Sequence, residues 1–243
     1  MYSILLKEVR SFLSSILGLI VIGTFLIISS LFIWVFPGEL NILESGFADL
    51  VPFFTIAPWV FLILIPGITM RFFAEEKRTG TLEFLITKPL GLMQLIFGKW
   101  LAGVVLVIVA LLPTVVYSVI LSRMALPEGN IDVGAILGSY VGLFFLAINF
   151  VAVGVFASSL TQNQIVAFLL AVFICFLLFS GLDSLSSFEM FGQADLLIRK
   201  FGIIEHYKSL RRGVIDSRDI AYFMVSSLLF FGLTKLSLES RNW

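Results

Sequence analysis

Six runs of about twenty predominantly apolar residues, each long enough to carry a helix across roughly 30 Å of hydrocarbon, leave this chain few alternatives to a membrane-spanning bundle. The runs cover 16–36, 53–72, 98–122, 134–157, 164–182 and 220–238. Hydrophobic residues make up 59% of the 243 and charged residues 13%, against about 25% charged in a soluble domain. Backbone groups find no partner in lipid, so segments of this composition must close their hydrogen bonds internally, as helices. The first run is too apolar and too long for a cleaved signal peptide, and Phe36-Pro37-Gly38 is no small-residue cleavage site, so it is read as a retained helix. Six spans occupy about half the chain and leave no segment of ordinary domain size between them. The expectation is a single all-α integral membrane domain over 1–243.

Charge placement orients the spans. With the amino terminus inside, inner segments carry Lys7, Arg10, Arg71, Lys77, Arg78, Lys88, Lys99, Lys235 and Arg241, while the first outer loop, 37–52, has no Lys or Arg. That matches the positive-inside rule and places both termini in the cytoplasm. The segment 183–219 fits less well, because it holds six basic and six acidic residues on the side expected to be outside. Long segments cross despite such charge, so the orientation is kept; one crossing more or fewer would put 183–219 in the cytoplasm.

Between the second and third runs lies a charged and then amphipathic island, FFAEEKRTGTLEFLITKPL, at 72–90. Glu75, Glu76, Lys77 and Arg78 mark an exit from hydrocarbon. Gly80 permits a turn, Thr81 is available as an N-cap, Glu83 favours the positive end of a helix over 82–86, and Pro89 stops it. Phe84, Leu85 and Ile86 are too apolar to lie bare in water and should press on the bilayer or a partner; an ordinary interhelix loop is the plainer alternative. Ahead of the first span, 2–15 places Leu5, Val9, Phe12 and Leu13 on one helical face and Lys7, Arg10, Ser11 and Ser14 on the other. Such a helix lies flat at the headgroup boundary, where its two cations can meet anionic lipid, unless it simply extends the first span.

A second span ending in charge, then GTLEFLITKPL, then a third span opening with Gly98-Lys99-Trp100, resembles the ABC-2 type permeases of ATP-binding-cassette transporters. The late segment 206–216, HYKSLRRGVID, ahead of the last span is similar to the same family. More narrowly, the whole chain is similar to the permease subunit of the gliding-motility-associated ABC transporter. The resemblance implies an ABC-2, type V exporter-like fold with six spans and an amino-terminal interfacial helix. It makes the 73–90 region a coupling helix that docks in a nucleotide-binding subunit through Glu75, Glu76, Arg78, Gly80, Thr81, Leu82, Glu83, Phe84, Leu85 and Pro89. It also implies two copies of a cytoplasmic ATPase that binds ATP and Mg, a second permease half, identical or related, a bacterial inner-membrane location and an outer position for 183–219.

The chain carries no G-x-x-x-x-G-K-[ST] loop, so hydrolysis is expected in the partner and not here. No Asp, Glu, Lys, Arg or His falls within the cores of the six runs, away from their ends, which argues against an ion-coupled carrier. An apolar or amphipathic cargo fits, as does a structural, non-transporting role in a motility or secretion complex. Ser29, Ser30, Thr114, Tyr117, Tyr140 and Asn149 are the polar candidates for lining a path; each could instead bond between helices. Pro58, Pro66 and Pro113 should kink the second and third spans. Gly134, Gly138 and Gly142 permit close helix contact, internal or between copies. The lone Cys175 and lone His206 make neither a disulfide nor a metal or catalytic cluster. Around His206, Ile203, Ile204, Tyr207 and Leu210 suggest a short amphipathic helix at the outer surface. Basic residues among aromatics there do not signal nucleic acid, because the segment is charge-balanced.

Overall fold

The computed structural model describes residues 2–86, 91–187 and 200–240, with 84–86 described in backbone only. Helix accounts for the regular structure, and no β-strand occurs among the described residues. The amphipathic α1 (Tyr2–Leu13) turns at Ser15, whose hydroxyl accepts from the Gly18 amide at 3.0 Å and caps α2 (Ile16–Trp34). The short α3 (Ile42–Ser45) precedes α4 (Val51–Thr69), α5 (Ala74–Arg78) and α6 (Thr81–Ile86). Then come α7 (Leu92–Leu111), a 3₁₀ turn at Leu112–Thr114, α8 (Val115–Met124) and α9 (Val133–Leu160). α10 (Gln164–Phe176) runs through a π-helical stretch, Leu177–Gly181, into α11 (Leu182–Ser187); α12 (Ile203–Leu210) and α13 (Ser217–Glu239) complete the described helices.

Six helices or helix runs are long and apolar enough to cross a membrane: Ile16–Trp34, Val51–Arg78, Leu92–Met124, Val133–Leu160, Gln164–Ser187 and Ser217–Glu239. The fourth is the axle: 78% of its apolar window is buried, against 22% for the first and fifth spans and 28% for the sixth. Small residues let neighbours close on α9; at Gly154, for example, any Cβ would collide with Thr69 of α4. The outer spans instead present Leu19, Ile20 and Ile27, Leu169 and Phe173, and Val225, Leu228 and Leu229 outward. A soluble protein could not carry so large an apolar surface; lipid solvates it.

Proline acts differently in the two spans flanking the island. Pro58 and Pro66 lie inside α4 without ending it, whereas Pro113 sits in the 3₁₀ turn that divides α7 from α8. The third span starts at Leu92, ahead of the Gly98 suggested by hydropathy, so Lys99 lies inside a helix.

The expected surface helix near His206 is present as α12, but it is driven into the protein. Ile203, Tyr207 and Leu210 are buried, and the Tyr207 hydroxyl donates to the Phe54 carbonyl at 2.8 Å. The glycines of α9 make this possible: a Cβ at Gly138 would strike the Gly213 backbone, and one at Gly142 would strike Leu210. Two of the three small residues in that stripe therefore serve an internal contact with the segment after the fifth span. Local pairing also dilutes the unexpected charge there, since Lys208 reaches Glu205 at 3.2 Å and Asp183 at 3.9 Å.

Candidate coupling site

The site begins where α4 ends. A turn at 70–73 would leave the first amides of α5 bare, and Ser158 of α9 supplies the cap from outside. Phe73 and Ala74 amides donate to its hydroxyl oxygen at 2.9 and 3.1 Å, and that hydroxyl donates to the Met70 carbonyl at 3.2 Å. Lys77 of α5 donates to the Ser159 carbonyl, which also accepts from Ser237 of α13 at 3.1 Å. The charged exit of the second span is thus riveted to the ends of the fourth and sixth.

On its other side α5 meets a buried box of charge. Lys99 is fully buried, and its ammonium donates to Glu8 Oε1 at 2.8 Å and to the Phe72 carbonyl at 2.6 Å, with Glu76 Oε1 at 2.9 Å. It also lies 5.1 Å from the centre of the Phe73 ring, within cation–π range. Lys7 completes the box at 2.9 Å from Glu76 and 3.6 Å from Glu8. A lone buried ammonium would cost several kcal/mol, roughly, so three acceptors around Lys99 are what make its position tenable. For Lys7, burial lowers the pKa, but the hydrogen bond and charge of Glu76, with Glu8 behind it, outweigh that and hold it above the ordinary lysine value. The arrangement ties α1, α5 and α7 together.

From this base hangs α6. Gly80 makes the turn with φ +70°, a conformation costly for any residue with a Cβ. Thr79 donates to the Glu75 carbonyl at 2.9 Å, and the Thr79 and Thr81 hydroxyls lie 2.9 Å apart. Thr81 is the first residue of α6 rather than its cap, with Gly80 preceding the helix. Leu82 is buried, while Arg78, Gly80, Thr81 and Glu83 are exposed and Glu75 is half-buried. Pro89 and the side chains of Phe84 and Leu85 lie outside the described residues.

The polar candidates of the spans fall into two pairs and two isolated groups. Ser30 and Tyr117 hydroxyls are 2.7 Å apart, Thr114 and Tyr140 hydroxyls 3.0 Å apart, and the Phe53 ring packs edge-on to Tyr117 at 5.6 Å. These bonds join the first span to the third and the third to the fourth. Ser29 and Asn149 are fully buried, and their side-chain polar atoms have no hydrogen-bond partner. A groove of about 380 Å³ between the first, second and fifth spans is lined by Val21, Phe25, Ile63, Leu64, Ile165 and Phe168 among others. A second, of about 360 Å³, is lined by Ile108, Leu112, Leu137 and Tyr140. Both suit apolar groups.

Sequence reasoning placed the island but not its partners. Glu8 carried a legible signal: Ile4, Glu8 and Phe12 share one helical stripe, and Ile4 and Phe12 are buried, so a carboxylate between them needs a cation. Ser158 carried none.

Six spans, helix without strand among the described residues, a charged, ion-paired exit after the second span and a short helix beyond it fit a multi-pass membrane protein of the transporter-permease class. A family model, ABC-2 family transporter protein, matches residues 3–191, and the chain belongs to that family. It is the membrane permease component of an ABC transporter. No curated protein matches the chain.

Proposed function

We propose that this chain receives mechanical work from a separate cytoplasmic ABC ATPase at α6 and spends it on moving the second and third spans of an exporter. What supports the reading is the pairing of exposed Gly80, Thr81 and Glu83 with a buried, ion-paired base. A push on α6 meets a stiff footing in α5, and that footing is bonded to α1, α7 and α9, whose Ser159 carbonyl also holds α13. The end carrying α1 and α6 then faces the cytoplasm of a bacterial inner membrane, with both termini inside. ATP and Mg bind two copies of the partner, and a second permease half, identical or related, completes the assembly. The apolar grooves favour an apolar or amphipathic cargo. The overall likeness of the sequence to gliding-motility permeases supports a further reading, in which the same stroke drives or supports a motility machine instead of moving a solute.

The test is affinity purification of the intact protein followed by an ATPase assay. Recovery of a nucleotide-binding subunit with ATP turnover is expected; its absence under conditions that keep the protein folded overturns the reading. Glu83→Arg, at an exposed position, is expected to leave folding unchanged and to cut ATPase stimulation at least tenfold, through like-charge repulsion or loss of a docking contact.

A further inference from the structure

The charge box does more than fill space at the base. Of its four members Lys99 is fully buried on the third span; Glu8 is on the amino-terminal helix, and Glu76 on α5, at the end of the second span and next to α6. One ammonium therefore holds two separate arms to the third span. A brace of fixed shape is built as well or better from apolar side chains of similar volume, because desolvating paired charges costs about as much as their attraction returns. What a central ammonium adds is directional placement: its protons reach carboxylates from two elements and a carbonyl from the turn between α4 and α5. Glu76 uses one oxygen for both lysines, and its Oε2 is buried with no hydrogen-bond partner among the described residues, so Lys99 and Lys7 are the described groups that hold the carboxylate.

We propose that Lys99 is a positioning residue for the coupling site, fixing the pose of α5 and thereby α6, with Glu8 making the amino-terminal helix the counter-arm of the same joint. The proposal rests on the coupling reading only for the source of the load; the pose itself is a property of this chain. Lys99 acts through Glu76 and touches neither cargo nor nucleotide.

The experiment is a spin-label distance measurement on the full-length protein in lipid nanodiscs. Labels go on Thr81→Cys and Gln162→Cys, both exposed, in a Cys175→Ala background. The parent is expected to give one narrow distance distribution. Lys99→Gln and Glu8→Gln should each broaden or displace it, while Lys99→Arg and the control Glu83→Gln should keep it narrow. A distribution unchanged in folded Lys99→Gln and Glu8→Gln overturns the proposal. If Lys99→Gln fails to fold, Glu8→Gln decides alone, because it leaves Lys99 with Glu76 and the Phe72 carbonyl. Displaced distances together with undiminished ATPase stimulation in Glu83→Arg would sustain the positioning role and sink the docking reading; the reverse pattern would do the opposite.

Discussion

The two ends of the bundle hold their non-spanning segments by opposite means. At one end α1 and α5 are fastened to the third span by buried ions, with Lys99 serving Glu8 and Glu76. At the other, α12 is fastened to α9 by close apposition, with Leu210 on Gly142 and the Gly213 backbone on Gly138. Polar bonds there are secondary: Tyr207 to the Phe54 carbonyl, and a cluster in which Asp219 accepts from Ser209 and lies 2.8 Å from His206 Nδ1. Steric apposition falls off within a fraction of an ångström and defines one seat. Charge attraction falls off slowly, so an ion-paired joint tolerates small displacement without complete loss. The end proposed to take load is fastened by ion pairs that persist through small displacements, and the opposite end by a steric fit that does not.

The sharpest way to break this contrast is Lys99→Met, which removes the buried cation and leaves Glu8 and Glu76 to the largely exposed Lys7. It is expected to cost about 3–5 kcal/mol, seen as a large fall in melting temperature in detergent, and a second change, Glu8→Gln, should recover part of it. A loss no larger than that of an exposed lysine would show that the box is wetter than its burial implies. Next is Gly142→Val, which forces a side chain onto the Leu210 Cβ and should cost about 1–3 kcal/mol. If Gly142→Val melts like the parent, α12 is not seated by apposition. Tyr207→Phe should cost about 1 kcal/mol through the bared Phe54 carbonyl, measured in the same way. Smallest is Lys7→Ala: its side chain is 60% exposed, so the change should be under about 1 kcal/mol and shrink further at high salt.

The six spans could be read from the sequence because lipid imposes a length and an apolar composition on each. The island at 72–90 was legible for a related reason, since Glu75-Glu76-Lys77-Arg78 cannot stay in hydrocarbon unpaired. What hydropathy could not show is that Glu76 and Lys77 are buried within protein. Their partners come from Lys7, Lys99 and Ser159, 69, 23 and 82 positions away, and no local pattern encodes such distances. Lys99 reads as a boundary charge because hydropathy cannot tell a residue at a membrane edge from one neutralised inside a helix. The seat of α12 was half legible. The glycine stripe in α9 announced a close contact, and the apolar face of α12 announced a burial, but only the tertiary arrangement joins the two. The polar candidates of the spans showed their types but not their partners: Ser30 found Tyr117 and Thr114 found Tyr140, while Asn149 found none.

The π-helical stretch at Leu177–Gly181 gives the fifth span an unusual sensitivity to length. Such a stretch accommodates one residue more than an α-helix would over the same rise, and each residue turns a helix by about 100°. Phe179 uses this turn to face Trp59, Phe150 and Tyr207 at once. Deleting a single residue between 177 and 181 would therefore act as a rotation rather than a shortening. Everything upstream on α10 would keep its neighbours, and everything downstream on α11 would face a different wall of the protein.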